Sequence, residues 1–191
     1  MMVSLSTQAI TIVDTGTPAG AVNGFGNPAG LAGEFTIANA FTVTDIQGYL
    51  GGGIAGNLTI ALYSDGGDIP GTELFSTSLA LGVVDADWRG ASSLNWTLAS
   101  GTYWVAFESR AGSTFFGRMP NAVPSPLVNE ARFTQGAWNP NDDLNIGVRI
   151  LGTATTASVP EGGSTFALAT LAFLALVTLR TRFSSSNASC S

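Results

Sequence analysis

The sequence predicts an all-β protein: an antiparallel two-sheet sandwich of jelly-roll type, followed by one C-terminal transmembrane helix. Two observations predict the sandwich. Apolar residues recur at every second position in several short runs between residues 10 and 152, and clusters rich in Gly, Pro, Asn and Asp separate these runs. A third observation, an uncharged apolar stretch that follows Glu161, predicts the helix.

The alternating runs are typical of strands that turn one face toward a core. They begin with "ITIV" at residues 10–13, and the clearest alternations are Phe35 and Ile37, then Leu58, Ile60 and Leu62, then Tyr103, Val105 and Phe107, and finally Ile146, Val148 and Ile150. About eight such strands without a helical period favour a sandwich. The body shows no internal repeat, which argues against a solenoid or a propeller.

The composition excludes several classes of function. The 191 residues include no His, no Lys and a single Cys, Cys190, so a Ser-His-Asp triad, a Cys-His pair and an ordinary zinc site lack their side chains. The net charge of -6 disfavours nucleic acid as a partner, because phosphate binding needs a basic surface. No motif in the chain indicates a cofactor, and we predict none.

The first nine residues, "MMVSLSTQA", are interpreted as the remnant of a signal peptide whose start codon lies upstream of Met1. Thr7 and Ala9 suit the small-residue end of a cleavage site. The basic and long apolar parts of a signal peptide are missing, so an ordinary N-terminal segment remains the alternative.

The C-terminal segment has the order of a membrane anchor. A small, polar linker at 153–164 precedes eighteen uncharged residues between Glu161 and Arg180. As a helix these would span about 27 Å, close to the apolar thickness of a bilayer. We predict a transmembrane helix at 165–183, with Arg180 and Arg182 as a cytoplasmic stop and a polar tail at 184–191. The body then lies outside the cytoplasm.

This segment resembles the C-terminal sorting signal of PEP-CTERM proteins. The resemblance rests on Val159, Pro160, Glu161, Gly162 and Gly163, followed by the apolar stretch and the two arginines, and it is closest to variants that read Val-Pro-Asp-Ser-Gly or Val-Pro-Asp-Gly-Gly. It implies export, transient membrane retention and processing by an exosortase, with delivery to the surface or extracellular polysaccharide of a Gram-negative bacterium. A Gly follows Glu161 where the usual motif has Pro, and eight residues follow Phe183, both departures from the family pattern.

The body is similar to the β-sandwich domains of the choice-of-anchor group. The stretches "GNLTIALYSDGGDIPGTELFS" and "LASGTYWVAFES" carry this likeness. It implies a fold and a location outside the cytoplasm, and it implies no ligand.

Several side chains are candidates for binding. Asp65 and Asp68, with Glu73 nearby, are weak calcium candidates, as is the polar cluster Asn139, Asn141, Asp142, Asp143 and Asn145; turn chemistry explains both groups without a metal, and we predict no metal site. The sequence has four Trp residues, Trp88, Trp96, Trp104 and Trp138. Trp104 alternates away from the predicted core face and Trp138 lies beside a loop, so these two are the candidates for carbohydrate contact, with core packing as the alternative.

Catalysis would require a pair of facing carboxylates, for which Glu34, Glu108 and Glu130 are the acids in or near strands. The function predicted first is that of a non-enzymatic, exported structural or interaction protein. A surface-anchored carbohydrate-binding module is the alternative, and a glycan-active hydrolase is the third hypothesis.

Overall fold

A computed structural model describes residues 9–122 and 127–155 of the chain. Within these residues the chain forms thirteen β-strands and no helix. The strands are β1 (Ile10–Asp14), β2 (Val22–Phe25), β3 (Ala29–Ile37), β4 (Phe41–Ile54), β5 (Gly56–Asp65), β6 (Pro70–Leu81), β7 (Val84–Ala91), β8 (Trp96–Leu98), β9 (Gly101–Ser109), β10 (Phe116–Pro120), β11 (Glu130–Thr134), β12 (Ala137–Pro140) and β13 (Val148–Ala154).

The strands form two antiparallel sheets. Sheet 1 has seven strands, β1, β2, β4, β7, β8, β10 and β13, and sheet 2 has six strands in the order β12-β11-β3-β9-β5-β6. In sheet 2, β3 pairs with β9 without interruption, from Ala29 opposite Ser109 to Ile37 opposite Gly101. The prediction of an all-β, two-sheet antiparallel architecture is confirmed.

The fourteen-residue strand β4 organises sheet 1. Ile46 and Gly48 each pair with both β13 and β7, and Gly52 pairs with both β10 and β7. Strands β13 and β10 therefore lie end to end along one edge of β4, while β8 and β7 lie along the other edge. One long strand thus holds four shorter ones.

The hydrophobic core lies between the two sheets. Of the residues that the alternation predicted to face inward, Tyr103 is partly buried against the core, and the others are fully or almost fully buried in a single cluster: Phe35, Ile37, Leu58, Ile60, Leu62, Val105, Phe107, Ile146, Val148 and Ile150. The sheets approach closely where Gly48 of sheet 1 meets the ring of Phe107 in sheet 2. A Cβ at position 48 would lie 2.7 Å from that ring, so only a glycine fits there.

Short strands account for the difference between about eight predicted strands and the observed thirteen. Strands β2, β8, β10 and β12 have three to five residues each, and sequences such as "VNGF" show no alternation. Their neighbours supply the hydrogen-bonding partners that fix them as strands, and a single sequence does not display those neighbours.

Two predicted segments fall largely or wholly outside the described residues. Of the signal-peptide remnant at 1–9 only Ala9 is described, and the predicted helix at 165–183 is not described at all. In the described ranges there is no helix with the length and apolarity that crossing a bilayer requires. Strand β13 continues to Ala154, two residues past the predicted end of the body at residue 152.

Candidate functional site

A row of four alanines crosses the outer face of sheet 2. Ala61, Ala106, Ala32 and Ala131 stand opposite one another on β5, β9, β3 and β11. We call them the alanine row. All four are fully buried although they face away from the core, because larger side chains of the same outer-face cluster pack against them.

Side chains of sheet 2 and of the segment after β9 line a pocket of about 380 Å³. Its walls are of two kinds. Tyr63, Phe133 and Trp138 form an aromatic wall, and Glu73, Glu108 and Arg110 form a polar wall. Five strands and the segment after β9 contribute these six side chains, so the pocket depends on the register of sheet 2.

The aromatic wall is held by edge-to-face contacts around Trp138. Its ring centroid lies 5.4 Å from that of Phe133 and 5.9 Å from that of Tyr63, with interplanar angles of 66° and 74°. Gly30 lies beneath the indole, where a Cβ would lie 3.2 Å from Trp138 Cη2. Trp138 therefore lies close to the sheet and stays partly exposed to the pocket.

The polar wall is a hydrogen-bonded network centred on Arg110. Arg110 Nε donates to Glu108 Oε2 at 2.8 Å, and Nη2 donates to Glu73 Oε2 at 2.6 Å. The Tyr63 hydroxyl donates to Glu108 Oε1 at 2.7 Å, which links the polar wall to the aromatic wall. Both carboxylates are thus fixed by a single guanidinium.

Tyr63, Arg110 and Glu73 each keep one charge state near neutral pH. Burial, followed by the hydrogen bond to Glu108 and nearby negative charge, raises the pKa of Tyr63 well above its usual value. Burial works against the charge of Arg110, but its bonds to Glu108 and Glu73 outweigh burial and raise its pKa. Partial burial likewise opposes ionisation of Glu73, yet hydrogen bonds from Ser76 and Arg110 lower its pKa overall. The pocket offers fixed hydrogen-bonding groups at pH 7.

Of the two Trp residues predicted to contact carbohydrate, only Trp138 lines the pocket. The prediction for Trp104 is wrong, because its side chain is fully buried and offers no ring face to a ligand. Its position on the outer face of β9 is as expected, but it belongs to a buried outer cluster against which Ile69, from the turn between β5 and β6, packs. Asp65 in the same turn accepts a 3.4 Å hydrogen bond from Trp104 Nε1.

The two remaining Trp residues have packing roles. Trp96 stacks on Phe75 with centroids 5.5 Å apart and an interplanar angle of 10°, joining sheet 1 to sheet 2 at one side of the core. Trp88 lies on sheet 1, where the Arg149 guanidinium carbon sits 3.9 Å from its ring centroid. Neither lines the pocket.

The three acids considered for catalysis do not form one facing set. Glu34 accepts a hydrogen bond from the Asn129 side chain, while Glu130 accepts from the backbone amides of Asn145 and Ile146, the latter at 2.9 Å. Burial, opposed by these amide bonds and assisted by the charge of Asp142, raises the pKa of Glu130 to about 7. Only Glu108 belongs to the pocket.

The calcium candidates serve turns. Asp65 Oδ1 accepts from the Gly67 amide at 2.9 Å, while Asp68 is exposed in the same turn. In the polar cluster at 139–145, the Asp143 amide donates to Asn141 Oδ1 at 3.3 Å. Among residues 9–122 and 127–155, no three acidic, His or Cys side chains gather in a metal-binding arrangement.

Sequence reasoning missed Tyr63, Phe133 and Arg110. Tyr63 carried a usable signal, since it continues the alternation of β5 on the face opposite Leu58, Ile60 and Leu62. Phe133 and Arg110 carried none, because their proximity depends on strand order in sheet 2. The sorting residues Val159, Pro160, Glu161, Gly162 and Gly163, with Arg180 and Arg182, lie outside the described residues.

No family model and no curated protein matches this sequence. The solved structures that match this chain include two with low TM-scores. One contains the cysteine protease and lectin-like domains of Cwp84, a surface layer associated protein of Clostridium difficile, with 9% identity, a TM-score of 0.49, and coverage of 68% of this chain and 33% of that chain. The other is a structure of infectious bursal disease virus Gx strain, with 9% identity, a TM-score of 0.27, and coverage of 78% and 37% respectively. This chain therefore spans about a third of the length of each, and at these TM-scores neither likeness carries an argument about function.

Proposed function

We propose that the protein is an exported carbohydrate-binding module of jelly-roll type, and that the pocket on sheet 2 binds a sugar unit. The observation that carries this proposal is the meeting of an aromatic wall with a fixed polar wall in one pocket. It favours the carbohydrate-binding alternative over a purely structural role.

The aromatic wall suits the apolar face of a sugar ring. A pyranose presents C–H groups on its faces and hydroxyls around its rim, so it packs on an aromatic face while its rim bonds to polar groups. Trp138 is held by Phe133 and Tyr63 and needs little ordering when a ligand arrives. The pocket volume of about 380 Å³ lies at the small end of the range for ligand sites and suits one or two rings.

The polar wall suits the rim of such a ring. The hydrogen bonds that Arg110 makes within the described residues use Nε and Nη2, so Nη1 can donate to a ligand. A carboxylate has about four acceptor sites, so Glu73 can accept further hydrogen bonds. Each hydroxyl of a sugar both donates and accepts, so the rim of a ring can bond to Arg110 and to Glu73 at the same time.

The proposed function is binding without catalysis. A glycosidase needs two carboxylates that face each other across the bond to be cleaved. Here Arg110 lies between Glu73 and Glu108 and bonds to both, so the guanidinium occupies the space that a substrate would require.

Loss of binding in a Trp138→Ala variant tests this proposal. The full chain is prepared in lauryldimethylamine oxide, a detergent without a sugar headgroup, and screened against neutral and acidic polysaccharides by affinity electrophoresis and calorimetry. Truncating a central aromatic contact is expected to weaken binding by about tenfold or more. Trp88→Ala is the matched control, since it removes the same side chain from outside the pocket. Equal affinity in both variants, or no binding to any glycan, would refute the proposal.

From the sequence of residues 159–183 we propose that the protein is exported and sorted by an exosortase. Val159 to Gly163 act as the sorting motif read by an exosortase, the following stretch holds the chain in the membrane, and Arg180 and Arg182 stop its transfer. The protein then reaches the cell surface or the extracellular polysaccharide.

Mass spectrometry tests this route directly. The chain is expressed in its host with the exosortase, once intact and once with residues 159–163 deleted. The intact chain is expected to lose its C-terminal segment, whereas the deleted form keeps it and stays in the membrane fraction. Processing of both forms, or of neither, contradicts the route and leaves the binding proposal untouched.

A further inference from the structure

We infer that the pocket selects neutral sugar units and rejects acidic ones, such as uronic acids. This inference rests on the proposed function and names the class of glycan that the site accepts. It follows from the charge and the hydrogen-bond pattern of the polar wall.

The guanidinium of the polar wall is already satisfied by protein carboxylates. Arg110 is the one cationic side chain among the described residues that line the pocket, and it forms ion pairs with Glu73 at 2.6 Å and Glu108 at 2.8 Å. Two carboxylates against one guanidinium give the wall a formal charge of -1. A ligand carboxylate would have to displace a protein carboxylate or lie beside both.

The donors and acceptors that the pocket residues leave unused also favour a neutral sugar. Tyr63 spends its hydroxyl proton on Glu108, so it does not donate to a ligand through that atom. Arg110 Nη1 offers donors, and the unused lone pairs of the Glu73 carboxylate offer acceptors that carry a negative charge. Acceptors at a pocket wall match ligands that donate, and a neutral sugar can donate through each of its hydroxyls. Replacing its primary hydroxyl by a carboxylate removes a donor and adds a negative charge.

The test compares sugars that differ only at that position. Methyl glycosides of glucose, galactose and mannose are titrated against the full chain in the same non-sugar detergent at pH 7 and low salt, alongside the methyl glycosides of glucuronic, galacturonic and mannuronic acid. We expect the neutral member of the pair that binds to be preferred by about tenfold or more. The preference should shrink in 0.5 M salt, because partly exposed charges are screened.

The outcomes separate this inference from the proposed function. Equal or tighter binding of the acidic member overturns the inference and leaves carbohydrate binding standing. Absence of binding by every glycoside overturns the inference, and the proposed function falls with it where no polysaccharide binds either.

A charge-neutralising variant identifies the groups responsible. Glu73→Gln keeps an acceptor and removes one negative charge from the polar wall, so the preference for the neutral member should fall several-fold. Glu34→Gln is the matched control: it makes the same change on the same sheet, outside the described pocket lining. An unchanged preference in Glu73→Gln, or an equal fall in both variants, shows that the polar wall does not set the selectivity.

Discussion

Glu130 should make the folded state more stable at acidic than at neutral pH. The residue is 6% exposed, and burial is the main reason that its pKa rises from 4.5 to about 7 on folding. Between these values the folded state binds more protons than the unfolded state, so stability is fully present below about pH 4.5 and is lost as pH rises through 7. A gap of that size, at about 1.36 kcal/mol per pKa unit, corresponds to about 3 kcal/mol.

Urea denaturation of the full chain, followed by Trp fluorescence at pH 5 to 8 in detergent, measures this slope. Glu130→Gln should remove most of it. The variant should also be less stable at pH 5. The side-chain NH2 of Gln is a donor and would face one of the two backbone N–H groups that bond to the Glu130 carboxyl, which should lower the free energy of unfolding by about 1–3 kcal/mol. Glu34→Gln serves as the control and should keep the slope. Wild-type stability that rises from pH 5 to 8, or a Glu130→Gln protein with an unchanged slope, would refute this reasoning.

Two glycine substitutions test the packing. Gly30→Ala places a Cβ 2.9 Å from Glu108 Cγ and 3.2 Å from Trp138 Cη2, so it should displace the indole. Its Trp fluorescence should shift to longer wavelength, and glycan binding should weaken about as much as in Trp138→Ala. Unchanged emission and affinity would contradict this prediction. Gly48→Ala should destabilise the fold by about 1–3 kcal/mol through overcrowding against Phe107. Adding Phe107→Leu should cost less in the Gly48→Ala background than in the wild type, which a double-mutant cycle of unfolding free energies measures.

Much of the fold could be predicted from alternation alone. In β9, Tyr103, Val105 and Phe107 face the core as their spacing requires, and Trp104 lies on the other face. The prediction for Trp104 was wrong about its exposure, because other residues cover this outer face. Alternation assigns a residue to one side of a sheet, whereas burial on that side depends on other segments, here the turn that carries Ile69.

The pocket could be predicted only in part, because its residues are distant in sequence. Glu73 and Arg110 are 37 positions apart and meet because β6 pairs with β5 and β5 pairs with β9. Composition and spacing identified Glu108 and Trp138 as candidates from their chemical type. Strand order, which brings them to one pocket, is a property of the whole sheet and leaves no local signal at either residue.

The pairing of the first and last strands has a consequence for protein engineering. Ile10 stands opposite Gly152, so the chain enters and leaves the sandwich at one place. A short peptide joining residues 9 and 155 would bridge strands that are already neighbours, at little entropic expense. The ring could then be opened at Val83, which is 72% exposed between β6 and β7. Such a circular permutant keeps both sheets, with its new ends between β6 and β7.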